Sequence, residues 1–121
     1  MNRDPGDIID RWSISKLKKE RIGKEFLEEY DYFQSGILEL KNKYKNINWD
    51  LIINYIYMIN SIIWGLENDL RNSKIDDNIM KCGDRAILIR EVNKLRVSFK
   101  NLINDMVQEG FMDHKQGHLS E

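Results

Sequence analysis

Arginines, carboxylates and a tryptophan recur at helical spacing in three separate stretches of this chain. In the first, Asp10, Ile14, Leu17 and Arg21 follow steps of four, three and four. That spacing puts a carboxylate and a guanidinium on one helix face, about three turns apart, with Ser13 close to the same line. In the second, Asn60, Trp64, Glu67 and Arg71 repeat the pattern. Each follows an apolar residue (Ile59, Ile63, Leu66, Leu70), so the four flank a core seam. In the third, Asp84, Arg85, Arg90, Glu91 and Asn93 crowd together, and Cys82, Ala86, Ile89 and Asn93 share a stripe. If these helices pack together, Arg21, Arg71, Arg85 and Arg90 line a pocket, held in place by Asp10, Glu67, Asp84 and Glu91. Guanidinium groups match phosphate and carboxylate with paired hydrogen bonds, and Trp64 supplies a stacking surface for a base or sugar. The expected guest is a small anionic molecule, phosphorylated, such as a nucleotide. The same residues also suit a plainer role, since charges beside a bundle core form interhelical ion pairs that set register.

Other chemistries find little support. No Glu-x-x-His pair of the di-iron bundles is present. All-α nucleotide pyrophosphatases hold magnesium through Glu-Glu-x-x-Glu and Glu-x-x-Asp, but after Glu28-Glu29 the third position is Tyr32. Glu67 and Asp69 are two apart and face different ways. There is no glycine-rich phosphate loop and no credible Ser-His-Asp set, both histidines lying near the end of the chain. His114 and His118 have a metal-ligand spacing, yet Gly117 between them and the polar surroundings favour a solvated tail. Cys82 reads as a small buried hydrophobe, and Trp12 and Trp49 as core anchors. The sequence therefore nominates no catalytic residue, no metal and no cofactor. Its candidate binding residues are Asp10, Arg21, Asn60, Trp64, Glu67, Arg71, Asp84, Arg85 and Arg90.

Four helices must position these groups. Helix one is expected from Pro5, behind an Asp4 cap, to Ile22, with Gly23 ending it. Its apolar residues (Ile8, Ile9, Trp12, Ile14, Leu17) spread around the circumference, as in a helix wedged among neighbours. Helix two runs from Lys24 to Lys45, with Phe26, Tyr30, Phe33, Ile37, Leu40 and Tyr44 as a heptad seam. Helix three runs from an Asn48 cap to Asn72 and carries two seams. One is Ile52, Ile56, Ile59, Ile63, Leu66 and Leu70; the other is Leu51, Tyr55, Met58 and Ile62. So wide an apolar surface implies a central helix or a dimer interface. After a polar turn at Ser73 to Asp77, capped by Asp76 or Asp77, helix four continues to Glu109, with Leu88, Val92, Leu95, Phe99, Leu102 and Met106 as its seam. About 30 residues span ~45–50 Å, longer than helix two, and a second chain is the simplest partner for the overhang. Gly110 ends the helix; residues 111–121 form a polar tail behind a single helical domain over 1–110.

The composition agrees. With 41% hydrophobic residues the chain can bury a core, and 32% charged residues exceed the ~25% of an average domain, as long solvated helices do. Nineteen basic and 20 acidic side chains nearly cancel, so neither a nucleic acid polymer nor an acidic membrane is the expected partner. One cysteine and the lack of a leading apolar stretch suggest a reducing, cytoplasmic setting. The most apolar segment, Leu51 to Leu66, is interrupted by Asn54, Asn60, Ser61 and Gly65, short of a membrane span. Heavy use of lysine, asparagine and isoleucine hints at an AT-rich genome, such as that of a phage or a streamlined bacterium.

Three boxes resemble an uncharacterised family of short helical proteins from bacteria and phages. Asp4-Pro5-Gly6-Asp7-Ile8-Ile9-Asp10-Arg11-Trp12-Ser13-Ile14 resembles its Pro-Gly-Glu-Leu-Ile-Asp-Lys-Leu-Ser-Ile opening. Trp64-Gly65-Leu66-Glu67-Asn68-Asp69-Leu70-Arg71 is similar to its Trp-x-Ile-Glu-Asp-x-Ile-Arg box. Gly83-Asp84-Arg85-Ala86-Ile87-Leu88-Ile89-Arg90-Glu91-Val92-Asn93 resembles its Asn-Asp-x-Arg-x-x-Ile-Lys-x-Glu-Ile-Asn box. The family has no established activity, so the resemblance implies no catalytic residues. Its boxes coincide with the polar clusters found by spacing.

The resulting expectation is an all-α, four-helix bundle-like protein with long helices, dimeric or of higher order. It would bind a small phosphorylated ligand without catalysis, for instance as a phage protein sequestering a host signalling nucleotide. The rival is a structural or assembly protein that uses the apolar seams to bind another chain. An all-α nucleotide-processing enzyme is third.

Overall fold

The computed structural model describes residues 1–71 and 79–120, excepting the side chains of 79 and 109–120. The chain is all-helical over these residues: α1 (Pro5–Arg21), a 3-10 turn (Lys24–Phe26), α2 (Leu27–Lys43), α3 (Trp49–Arg71) and α4 (Ile79–Ser120). The turn expected at Ser73 to Asp77, and its caps, lie outside the described residues, as do the side chains of His114 and His118. No helix among the described residues is long and apolar enough to cross a membrane.

Local chemistry sets the helix ends. The Asp7 backbone N–H donates to Asp4 Oδ1 at 2.8 Å, capping α1 just ahead of Pro5. Lys18, Lys19 and Arg21 occupy its last turn, where the helix dipole favours cations. Gly23 follows at φ 159°, a conformation closed to residues with a side chain. The reversal there is tight: the Phe26 N–H bonds back to the Gly23 carbonyl at 3.3 Å. The helix expected to start at Lys24 therefore begins as a 3-10 turn. Asn48 caps α3 by accepting from the Leu51 N–H at 3.2 Å. The Trp49 indole N–H donates to the Tyr44 carbonyl at 2.9 Å and pins the α2–α3 connection.

The helix at the centre is α1, which packs against α2, α3 and α4. Gly6, Ile8, Ile9, Asp10, Trp12, Ser13, Ser15 and Leu17 are all buried, spread over most of its circumference, while Asp7 and Arg11 mark its solvent side. Around it, Phe33, Ile37 and Leu40 of α2, Trp49, Ile52, Ile53 and Ile56 of α3, and Ile103 and Val107 of α4 close the core. Each such side chain contributes about 1.5–3 kcal/mol on burial.

α3 and α4 run antiparallel. The Tyr55 and Phe99 rings lie 5.9 Å apart, and Asp69 Oδ2 lies 3.9 Å from Arg85 Nη2. In this register α4 passes the start of α3 near residue 105 and continues through Gly110, the expected stop, to Ser120. A helix-interior glycine costs only ~1 kcal/mol, so it need not terminate a helix.

The face that α4 buries differs from the expected one. Ile103 and Val107 point inward, together with Arg96 and Lys100. Of the heptad seam, Leu88, Leu95, Leu102 and Met106 are exposed. The second seam of α3 is likewise exposed at Leu51, Tyr55, Met58 and Ile62, while Ile52, Ile56, Ile59, Ile63 and Leu66 are buried. α1, not α3, is thus the helix surrounded by the other three.

Candidate functional site

Asp10 sits among Ile8, Ile9 and Trp12 near the start of α1 and is 1% exposed. A lone carboxylate there would be severely destabilising, and three helices answer it. From α4, Arg96 grips both oxygens: Nε donates to Oδ1 at 2.8 Å and Nη2 to Oδ2 at 2.6 Å. From α3, Asn60 Nδ2 donates to Oδ1 at 2.9 Å and also to Ser13 Oγ. The Ser13 hydroxyl donates in turn to the Asp10 carbonyl at 2.8 Å. Lys100 Nζ stands 3.6 Å from Asp10 Oδ2 and 3.8 Å from Asp7 Oδ1. Burial pushes the Asp10 carboxyl up. The Arg96 and Asn60 hydrogen bonds and the positive charges of Arg96 and Lys100 outweigh it and hold the group below the usual carboxylate range. The Asp10 hydrogen bond in turn pushes Arg96 up.

Two turns along α1 the surface opens. Lys18, Arg21, Ile22, Trp64, Gly65, Glu67, Asn68 and Arg71 line a cleft of about 630 Å³ between α1 and α3. Arg21 lies 6.0 Å from the Trp64 ring centroid, in cation–π range. Lys18 is shared with Glu29 at 3.5 Å. Among the described residues, no carboxylate lies within ion-pair reach of Arg21 or Arg71. Trp64 and Glu67 also line a smaller inner cavity of about 170 Å³, together with Ile14, Leu17, Asn60, Ile63 and Arg96. The two hollows thus share Trp64 and Glu67, and the smaller one is bordered by Asn60 and Arg96 of the Asp10 network.

The sequence-nominated residues divide accordingly. Arg21, Trp64, Glu67 and Arg71 share the cleft. Asp10 and Asn60 lie in the buried network beneath it. Asp84 and Arg85 line a separate depression with Lys81 and Leu88, and Arg85 faces Asp69. Arg90 lies on the exposed surface, 3.9 Å from Glu91. A pocket of four converging arginines is not formed. α4 is oriented by Arg96, Lys100 and Asn104 toward α1, and Arg90, six residues before Arg96, points about 120° away.

Arg96 and Lys100 were not among the nominated residues. The signal was present: the stripe Cys82, Ala86, Ile89, Asn93 continues at the same alternating steps through Arg96, Lys100, Ile103 and Val107. The cleft is a concave, cation-rich surface with an aromatic wall, suited to holding an anion. Among the described residues, no group of three histidine, cysteine or acidic side chains is placed to hold a metal. Set beside known protein families, characterised proteins and solved structures, the chain shows no significant match to any of them.

Proposed function

We propose that the α1–α3 cleft binds a small phosphorylated molecule, such as a nucleotide, and holds it without transforming it. The observation that carries this reading is the pair Arg21 and Arg71, which face one cleft from different helices with no ion-pair partner among the described residues. Phosphate would supply the missing negative charge through bidentate contacts, and Trp64 would flank a base. A volume of about 630 Å³ falls within the usual range of small-ligand sites. Lys18 adds charge, and Glu67 offers an acceptor for a hydroxyl. A phage-encoded protein of this chemistry in a reducing cytoplasm would suit sequestration of a host signalling nucleotide. The test is thermal melting against nucleoside mono-, di- and triphosphates and inorganic phosphate, with recovery of unaltered ligand after heat release. No shift with any of them would remove the proposal.

A second reading has its own support. The outward faces of α3 and α4 carry the exposed seams described above, which suits a protein that binds another helical chain.

A further inference from the structure

Between Leu51 and Gly65 the exposed residues of α3 are Leu51, Asn54, Tyr55, Met58, Ile62 and Gly65. None is charged, in a chain where 32% of residues are. A solvent-facing helix normally carries charge there, and loss of charge is the compositional mark of an interface core. Leu51, Tyr55, Met58 and Ile62 are each about half exposed, at 51%, 47%, 51% and 47%.

The neighbouring seam of α4 continues this surface. Tyr55 and Phe99 touch, and Asp69 meets Arg85, so residues whose numbers sum to about 154 share a level. Leu51 then falls beside Leu102, Met58 beside Leu95, Ile62 beside Val92, and Gly65 beside Leu88. A Cβ at Gly65 would meet nothing within 4 Å, so bare backbone is offered there for close approach. Two adjoining heptad seams on antiparallel helices make one half of a four-helix bundle.

Resting on the second reading above, we infer that the occupant of this face is a second copy of the chain. The two copies would be related by a two-fold axis parallel to the helices, with α3 of each lying over α4 of the other. Three observations favour this partner. First, the seam needs a helical hairpin of matching heptad phase and length, and the chain itself carries one. Second, the outer edge of α4 is charged (Asp84, Glu91, Asp105, with Glu91 paired to Lys94 at 3.3 Å and to Arg90 at 3.9 Å), whereas that of α3 is uncharged (Asn54, Ser61, Asn68). Crossing α3 over α4 sets each charged edge beside an uncharged one, while α4 on α4 would crowd the two charged edges together. Third, the face measures roughly 27 by 20 Å, from eighteen residues of rise and two helix widths. That is roughly 500 Å² in projection and more in accessible area. It lies at the upper end of the ~300–600 Å² of the largest apolar patch on an ordinary monomer and approaches the ~800 Å² per partner of a standard interface.

Sedimentation equilibrium over a dilution series should give a species of twice 14.5 kDa that dissociates on dilution. Met58→Glu should weaken self-association by about tenfold or more while far-UV circular dichroism keeps its helical signal. Leu95→Lys serves the same purpose on the other helix should Met58→Glu unfold the chain. With Cys82→Ser in both partners, mixing Met58→Cys chains with Leu95→Cys chains should yield an oxidised heterodimer. A dimer untouched by both charge substitutions and lacking that cross-link would overturn the inference by placing the interface elsewhere. A single 14.5 kDa species throughout would also overturn it. In that case, binding of an apolar dye that Met58→Glu abolishes would leave the docking face standing for a different helical partner. A monomer with no dye binding would end both.

Discussion

Arg96 reaches across 86 positions of sequence to close both carboxylate oxygens of Asp10, with Oδ2 held at 2.6 Å. Asp10 is buried and Arg96 remains about a quarter exposed, its side chain at 27%. The pair ties the first helix to the last, and Asn60 adds the third. Its geometry is that of an anchor, since both carboxylate oxygens accept hydrogen bonds from other helices.

Removing one member should therefore cost more than an ordinary surface pair. Asp10→Ala takes from Arg96 both of its carboxylate acceptors and from Asn60 one of its two acceptors, and should lower unfolding stability by about 3 kcal/mol. Denaturant melts of the variant check this. A loss below about 1 kcal/mol would mean that water reaches the site and replaces the carboxylate.

The same pair sets an acid limit. The Asp10 carboxyl is held below its ordinary value of 3.8. A depressed carboxylate contributes stability that is fully present above the ordinary value and is lost as pH falls through the folded one. The stability difference between the native chain and Asp10→Asn should thus be constant from neutrality down to about pH 5, then shrink in stronger acid. Urea melts of both proteins at a series of pH values will show whether the gap closes on the acid side.

At the cleft, Arg71→Ala and Arg21→Ala should each weaken binding of the best phosphorylated ligand by about tenfold. Arg85→Ala and Arg90→Ala should leave it unchanged, because those side chains face Asp69 and Glu91 elsewhere. Titration calorimetry on the four variants separates the outcomes. Equal losses from all four would indicate long-range charge rather than a defined cleft.

Two glycines should respond in opposite directions. A Cβ on Gly6 would stand 2.5 Å from the Lys100 carbonyl oxygen, and the Gly6 N–H donates to Asn104 Oδ1 at 2.8 Å. Gly6→Ala must push α1 and α4 apart, costing about 1–3 kcal/mol. Gly83 has nothing within 4 Å, so Gly83→Ala should add about 0.5–1 kcal/mol through helix propensity alone. Thermal melts of the two variants should move to either side of the native Tm.

Helix identity was legible in the sequence because its signals are local. Asp4, Asn48 and Gly23 mark ends by their own hydrogen bonds and dihedral angles. The spread of apolar residues on α1 implied a helix wedged among neighbours, and α1 packs against α2, α3 and α4. Which of two stripes of α4 turns inward was not legible, although the one through Arg96 and Lys100 could be traced. Its heptad seam is the more apolar face, yet the buried face carries Arg96 and Lys100, because α1 presents a carboxylate that needs cations. Only the tertiary arrangement decides that preference. A carboxylate set between Ile8, Ile9 and Trp12 was itself the hint that a cation must arrive from elsewhere. Half of the cleft could be read from Trp64, Glu67 and Arg71, which share one helix. Arg21 joined it through the α1–α3 packing, and Arg85 and Arg90 were carried away by the orientation of α4.

The bond between Asp10 and Arg96 also constrains how the protein is made. Translation at about 5–20 residues per second leaves roughly 4 to 17 s between the emergence of the acid and that of its base. During that interval the first helix can pack on the second and third, but its interior carboxylate still lacks its cation. The earliest helix synthesised is thus completed only by the last, and a chain cut short before residue 96 should be less stable than the full one.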